Sequence, residues 1–297
     1  EVGAYSRPPY PGTFFLDPFS FDAREIAQAY RENHDDLMAN TKDILAEIRS
    51  VIAPAFDDVP DRAMQHLASL REAHKHILLL AIQYPSPRYS PYTNHDDLLD
   101  LCEDILQYCP SDTALLLCPR AHNFQDLKIA EAEWEALRRR YPNVSLFPGD
   151  MTWPYYTQML VPHVDGVVAV TSTVGLQAPL WGKHWFTSPQ SFYHGIAPGY
   201  DQIANCINDE PSSLARDYVN WMTQYFWIPN EVLSEVQVLV DMLNIIHDNK
   251  QEPRGAYLKA LKDMFEKTPM YRDKIMACFK KVQEAKSKNK VIEIISL

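Results

Sequence analysis

The feature that most constrains the fold is an alternation, in the middle of the chain, between short apolar runs and amphipathic stretches. Ile77–Gln83 and Ala114–Cys118 have the length of a β-strand and are apolar at nearly every position. Between such runs, Asp97–Cys109 and Leu127–Arg140 repeat apolar residues at helical spacing. A strand that is apolar on both faces must be covered on both sides, as the strands of parallel sheets are by helices. Residues 76–210 are therefore predicted to form a Rossmann-like, doubly wound α/β domain.

Helical regions are predicted on either side of this domain. Residues 1–75 open with an extended segment rich in proline and aromatic residues and continue with helices over roughly 22–52 and 60–74. Residues 211–297 are predicted to be helical and end in a lysine-rich tail. That tail is either a solvated helix face or a basic patch that makes peripheral contact with the anionic inner face of a membrane.

Charge and glycine content exclude several classes of function. Acidic residues outnumber basic ones by 39 to 28, and the net charge of −11 argues against a nucleic-acid-binding protein. The chain has only 9 glycines and contains neither G-x-G-x-x-G nor a Walker sequence, which weakens a dinucleotide-dependent or P-loop function. The 5 cysteines form no C-x-x-C motif and are interpreted as reduced residues. A cytoplasmic protein is expected.

Polar side chains are concentrated in the segments that follow the predicted strands. The carboxyl ends of parallel strands meet at one edge of the sheet, and open α/β sheets bind ligands there. The candidate ligand-binding residues at this edge are Arg120 and His122, Ser172 and Thr173, and Gln190 and Tyr193.

Ser172 and Thr173 are the most informative of these residues. They follow a buried strand and directly precede a predicted helix, so either can cap that helix and leave a site for a phosphate at its N-terminus. The alternative is a plain cap without a ligand. Gly175 then lets either a ligand or a neighbouring strand approach closely. Arg120 either grips a phosphate or makes a structural salt bridge, and His122 either donates to a phosphate or is an exposed loop residue.

No metal site is expected from the sequence. The clusters at residues 34–36 and 95–97, each His-Asp-Asp, resemble metal ligands, but adjacent residues on a helix do not face one metal. Both clusters are interpreted as acidic caps at helix N-termini. His163 and Asp165 precede a strand, on the side away from the expected crevice, and are assigned a structural role. No G-x-S-x-G motif is present, so a nucleophile elbow is not predicted.

The segment Thr171–Lys183 resembles the S-T-x-G-x-[EQ]-A-L-x-x-G-K motif of GT-B glycosyltransferases. The resemblance is strongest to the capsule polysaccharide biosynthesis family that includes the Kdo transferases. Three further segments resemble that family: Ile77–Gln83, an apolar strand ending in Gln; Asp112–Pro119, its D-T-x-L-x-x-K-P strand; and Phe192–Gly195, its F-Y-A-G segment. The resemblance covers about residues 77–230.

This resemblance implies a glycosyltransferase, or its donor-binding half, that acts on a nucleotide sugar in surface polysaccharide synthesis. By the resemblance, Ser172 and Thr173 hold the donor phosphate and Gln177 occupies the position that contacts the ribose. The implied partners are the nucleotide sugar and a glycan or glycolipid acceptor, without metal or another cofactor. Because the first 75 residues are too short for a full acceptor half, the chain is either a fragment or works with a reduced or separate acceptor-binding segment or subunit.

The chain departs from the family pattern at two places. Lys and a His-Pro pair usually follow the second strand, where this chain has Arg120 and His122. Kdo-transferring members carry an acidic residue shortly after the strand-ending Gln, whereas Gln83 is followed by Tyr-Pro-Ser-Pro. These departures favour an alternative: a non-catalytic GT-B-derived domain that binds a glycan or a partner. A sugar-nucleotide epimerase is a weaker third hypothesis, because the catalytic acids it needs are not located.

Overall fold

The computed structural model describes residues 3–5, 13–17, 24–57, 59–82, 92–93, 95, 97–119, 131–148, 156–229, 232, 235–249, 253–268, 273 and 276–277. The chain divides into two compact units, one made of residues 1–55 and 216–297 and the other of residues 56–215. The boundaries expected from the sequence, after residues 75 and 210, stay a prediction about the division of function.

Strands and helices alternate along residues 56–215, and further elements precede and follow them in the sequence. The first elements along the chain are β1 (Gly3–Tyr5), β2 (Thr13–Asp17), α1 (Arg24–Glu32), α2 (His34–Met38), α3 (Leu45–Phe56), α4 (Asp61–Ala73), β3 (His76–Ala81) and α5 (Leu98–Tyr108). They continue with β4 (Thr113–Cys118), α6 (Glu131–Arg140), β5 (Val144–Leu146), α7 (Tyr156–Leu160), β6 (Gly166–Val168), α8 (Gln177–Leu180) and β7 (His184–Phe186). The last are α9 (Ile203–Cys206), α10 (Ser213–Tyr225), β8 (Ile228–Pro229), α11 (Val236–Asn249) and α12 (Arg254–Lys267). Single 3₁₀ turns lie at Val161–His163 and Tyr200–Gln202.

The unit of residues 56–215 is built on a five-stranded sheet in which every neighbouring pair is parallel. The strand order is β5-β4-β3-β6-β7, and the central pair aligns Leu78 with Leu115 and Leu80 with Leu117. All six residues of β4 are buried, as are all but the first of β3, because helices cover both faces of the sheet. The predicted Rossmann-like, doubly wound α/β fold is confirmed.

One face of this sheet forms a continuous hydrophobic core with α5, α6 and α9. Alternate residues of the strands point into it, since successive side chains of a strand face opposite sides. The strand residues of this core are Leu78, Leu80, Leu115, Leu117, Val144, Val168 and Phe186. Residues of the opposite face, such as Leu79 and Leu116, are equally buried. Within the same unit, α4 packs against β3.

The unit of residues 1–55 and 216–297 combines helices with a small antiparallel sheet of order β1-β2-β8. The prediction of one helical stretch over residues 22–52 is wrong in detail, because α1, α2 and α3 divide it. Asn40 has a φ of 61°, a left-handed conformation that an α-helix cannot continue through. The helix predicted over 60–74 is confirmed as α4.

Candidate functional site

The strand order predicts a ligand site at the carboxyl ends of β3 and β6. From β3 the chain runs through α5 to β4 and then to β5 on one side, whereas β6 and β7 lie on the other side. The order therefore reverses between β3 and β6. In open α/β sheets this reversal point is where ligands bind, because the connections leave it in opposite directions.

A hydroxyl-rich turn follows β6 at this point. The amide N–H of Gly175 donates to the Ser172 carbonyl at 3.0 Å, and the Ser172 Oγ accepts from the N–H of Val174 at 3.3 Å. Similar three-residue hydrogen bonds continue up to α8, which begins only at Gln177. Ser172 thus caps the run of tight turns that precedes α8 and does not cap the helix itself, because the chain winds here more tightly than an α-helix. Ser172 and Thr173 are both half-buried.

Gly175 is explained by a neighbouring strand. A Cβ built on Gly175 would lie 2.3 Å from Nε1 of Trp185 on β7 and 3.0 Å from the Cβ of Ala169. Of the two alternatives that the sequence left open for this glycine, close approach by a strand is therefore the one observed. Trp185 is itself buried, and its Nε1 has no hydrogen-bond partner among the described residues.

Two other predicted site residues are buried close to this turn. Gln177 is 1% exposed and lies in the first turn of α8. Tyr193 is 5% exposed, and its ring packs edge-on against Trp185 with a centroid distance of 5.0 Å. The structure therefore brings Ser172, Gln177 and Tyr193 to one region, but only Ser172 and its neighbour Thr173 are partly open to solvent.

The segment after β7 carries Gln190 and is hydrogen-bonded to the residues that follow β6. The Thr187 Oγ1 lies within hydrogen-bond distance of the carbonyls of Ala169, at 3.0 Å, and Val170, at 3.1 Å, so it joins the ends of the two strands. Gln190 is exposed, and its Oε1 accepts from the Ser188 hydroxyl at 2.8 Å. Gln190 is thus held on the same edge of the sheet as the hydroxyl-rich turn.

The predicted residues Arg120 and His122 lie outside the described residues. The strand that precedes them, β4, ends at Cys118, and the Pro119 carbonyl accepts a hydrogen bond from the Tyr156 hydroxyl. Their binding roles stay predictions.

The sequence missed a network of His95, Asp104 and Tyr200. The expected acidic cap is present at Asp97, whose side chain accepts from the N–H of Asp100 at 2.8 Å. His95, however, lies with its Nε2 3.0 Å from Asp104 Oδ2, and the Tyr200 hydroxyl donates to that same oxygen at 2.6 Å. No local spacing signals this network, because Tyr200 is about a hundred residues away along the chain.

The structural role predicted for Asp165 is confirmed at the amino end of the sheet, where the backbone of His163 also takes part. Arg71 pairs with Asp165 at 2.9 Å and also donates to the His163 carbonyl at 3.0 Å. The same carboxylate accepts from the N–H of Ile77 at 2.8 Å, which anchors the start of β3. Next to it, burial and then the neighbouring His76 lower the pKa of His184.

The described residues contain neither a metal-binding cluster nor a membrane-spanning helix. Within the ranges given above, no group of three or more His, Cys, Asp or Glu side chains is placed to hold a metal ion. Over the same ranges, no helix has both the length and the apolar character needed to cross a bilayer.

Fold and site together define a Rossmann-like α/β unit with a hydroxyl-rich turn at the carboxyl edge of its sheet. No protein-family model matches the chain, and no curated protein does. Among solved structures, the chain is similar to the KpsC beta Kdo 2,7 transferase of Thermosulfurimonas dismutans, with 17% identity and a TM-score of 0.37. The match covers 73% of this chain and 66% of that one, just under two thirds of its length.

Proposed function

We propose that the chain binds a nucleotide-activated sugar and transfers the sugar to a glycan or glycolipid, as a glycosyltransferase or its donor-binding half. The observation that carries this proposal is the environment of Ser172 and Thr173 at the carboxyl end of β6. Both residues are half-buried at the point where the strand order reverses. Within the part of the chain that the structure describes, their two successive amides donate to no carbonyl.

Consecutive amides that have no carbonyl acceptor among the described residues, next to two hydroxyls, suit an anion at such a position. Backbone N–H groups in a tight turn form a concave donor surface, and neighbouring hydroxyls add further donors. In the proposed reaction the bond between the anomeric carbon and the phosphate oxygen breaks, and the charge that develops on the leaving phosphate is stabilised by these donors. Because they take the place of a cation, the proposed reaction is independent of metal.

The overall charge of −11 makes local donors essential for an anionic ligand. Arg120, which comes two residues after the end of β4, is proposed to grip the phosphate through two guanidinium N–H groups. Surface polysaccharide synthesis follows from the family resemblance alone, and peripheral contact with the inner face of a membrane follows from the lysine-rich tail; both belong to the same proposal.

The amide donor is tested by Thr173→Pro. Thr173 is the second residue of the turn that Ser172 and Gly175 close, a position where proline is favoured, so this change removes the N–H with little effect on the turn. Thr173→Ala is the matched control, because it removes the hydroxyl and keeps the amide. In calorimetry with CMP, UDP and GDP, Thr173→Pro is expected to weaken nucleotide binding by about 1.5–3 kcal/mol, the range for hydrogen bonds to charged groups. Equal affinities for the two variants would contradict the amide site.

Arg120→Ala tests the guanidinium in the same assay. It is expected to weaken nucleotide binding by about 1.5–3 kcal/mol and to leave thermal stability nearly unchanged. Arg138→Ala is the control, since Arg138 lies exposed on α6 and pairs only with Glu135 among the described residues, at 3.1 Å. Loss of folding without loss of binding in Arg120→Ala would make Arg120 a structural residue.

A second candidate function, a non-catalytic binding domain, is favoured by the burial of Gln177 and Tyr193. A residue that contacts a ribose must reach the ligand, and both side chains are covered by protein. Thermal melting distinguishes the two functions, because a ligand at 100 times its Kd stabilises the folded state by about 2.7 kcal/mol. If CMP, UDP and GDP at millimolar concentration all leave the melting temperature unchanged, the non-catalytic function is supported.

A further inference from the structure

His95, Asp104 and Tyr200 come from two separate connections and meet through one carboxylate oxygen. His95 lies between β3 and α5, Asp104 lies within α5, and Tyr200 follows β7. Oδ2 of Asp104 is 3.0 Å from His95 Nε2 and accepts from the Tyr200 hydroxyl at 2.6 Å. The arrangement is that of an imidazole held by a carboxylate that is itself held by a phenol.

The network determines which nitrogen of His95 carries the proton. Tyr200 is 3% exposed, and burial together with its hydrogen bond to Asp104 raises its pKa, so its hydroxyl stays protonated and donates. The carboxylate oxygen is therefore an acceptor for His95 as well, which places the proton on Nε2 and the lone pair on Nδ1. Among the described residues, no hydrogen bond involves Nδ1.

The connection that carries His95 follows the strand next to β6, the strand that precedes the proposed donor site. This connection leaves the carboxyl end of β3, at the reversal point, while β6 lies between β3 and β7. Tyr92 of this connection packs edge-on against Phe192 of the segment after β7, with ring centroids 5.3 Å apart. The two connections thus contact each other. The His95 side chain is 18% exposed.

We propose that His95 is the general base of the sugar transfer, with Asp104 and Tyr200 as its positioning residues. This inference rests on the proposed function. His95 Nδ1 takes the proton of the attacking hydroxyl as its oxygen forms a bond to the anomeric carbon. The bond from that carbon to the phosphate oxygen breaks, and its electron pair leaves with the nucleotide. Asp104 stabilises the imidazolium that forms, as a carboxylate does beside any charged imidazole.

Water can serve as the attacking hydroxyl, so the step can be assayed without knowledge of the acceptor. The experiment measures nucleotide release from CMP-, UDP- and GDP-sugars by the full chain, next to calorimetry with CMP, UDP and GDP alone. His95→Ala is expected to slow release by about 10²- to 10⁴-fold, the usual contribution of a general base, and to leave nucleotide affinity unchanged. Exogenous imidazole is expected to restore part of the rate. A structural role for His95 would not produce this rescue.

The positioning residues have their own readout. Asp104→Asn and Tyr200→Phe keep the size of each side chain and are expected to slow release less than His95→Ala. In ¹⁵N spectra of the imidazole, the unaltered chain is expected to show the Nε2–H tautomer at His95, and Asp104→Asn to lose that preference. His247→Ala, at an exposed position on α11 in the other unit, is the control and should change neither rate nor spectrum.

The role of His95 and the proposed nucleotide-sugar function fail in different measurements. Nucleotide binding with an unchanged release rate in His95→Ala, or without imidazole rescue, overturns the role of His95 and leaves the proposed function standing. Nucleotide binding without release from any of the sugars also counts against the general base. Failure to bind any nucleotide overturns the proposed function itself, and this is known from calorimetry before a rate is measured.

Discussion

Replacing Gly175 by alanine tests whether close packing against β7 determines the shape of the hydroxyl-rich turn. The new Cβ would lie 2.3 Å from Nε1 and 2.9 Å from Cε2 of Trp185, and 3.0 Å from the Cβ of Ala169. The indole has little room to withdraw, because it is buried and packs against the ring of Tyr193. Either the turn or the indole must therefore shift.

Overpacking of this kind costs about 1–3 kcal/mol of unfolding free energy. For a unit of this size each kcal/mol corresponds to about 2–4 °C, so the melting temperature is expected to fall by about 2–12 °C. Ser172 and Thr173 lie on this turn, so a shift of the turn is expected to lower nucleotide affinity as well. Thermal melting with and without nucleotide measures both effects.

A double-mutant cycle with Trp185→Phe tests the cause. The smaller ring removes the atoms closest to the new methyl group, so the two changes together are expected to be less harmful than their sum by about 0.5–3 kcal/mol. Gly182→Ala is the control, because its cost comes from a φ of 67° and not from contact with the indole. Additive effects of Gly175→Ala and Trp185→Phe, or an unchanged melting temperature in Gly175→Ala, would refute this reasoning.

Three further predictions concern other parts of the same unit. Thr187→Val removes a buried hydroxyl that joins the ends of β6 and β7, and is expected to lower unfolding free energy by about 1–3 kcal/mol in urea titrations; no change would mean that the hydroxyl contributes nothing. Burial and the nearby His76 lower the pKa of His184 in the folded state, against smaller opposing effects of Asp165 and Asp209, so the unfolded chain binds more protons as the pH falls. The contribution of His184 to the free energy of unfolding is therefore fully present above the unfolded histidine pKa of about 6.5 and is lost as the pH falls through the lower pKa of the folded state. His184→Gln is expected to flatten that part of the profile of unfolding free energy against pH. An equally steep profile would assign this pH dependence to other groups. Nucleotide binding is expected to persist in excess EDTA, and its loss with recovery in magnesium or manganese would contradict a metal-independent site.

Some parts of the fold could be predicted because the local pattern of apolar residues indicates which of them are buried. β3 and β4 are apolar on both faces, and only the centre of a covered parallel sheet accommodates such strands. The prediction of one helical stretch over residues 22–52 was wrong because the helical spacing of its apolar residues continues past Asn40. The left-handed φ of Asn40 ends the helix there, and the apolar pattern does not change at that position. Local periodicity reports which residues are covered, but it does not report where the backbone turns.

The candidate site divides in the same way. A strand followed at once by Ser172 and Thr173 was enough to place those hydroxyls at the carboxyl edge. The burial of Gln177 and the contact of Gly175 with Trp185 depend on how β7 packs beside β6, and the motif around Thr171–Lys183 does not reveal that packing.

The sequence by itself determined that the central region is a parallel α/β sheet and that its polar residues gather at one edge, since both follow from patterns within a few turns of chain. Only the tertiary structure decided that β6 lies beside β3, and so where the strand order reverses. It also decided that His95, Asp104 and Tyr200 share one carboxylate oxygen. The physical reason is that strand neighbours and such hydrogen bonds are selected by the packing of segments far apart in the chain, which leaves no periodic trace in any one of them.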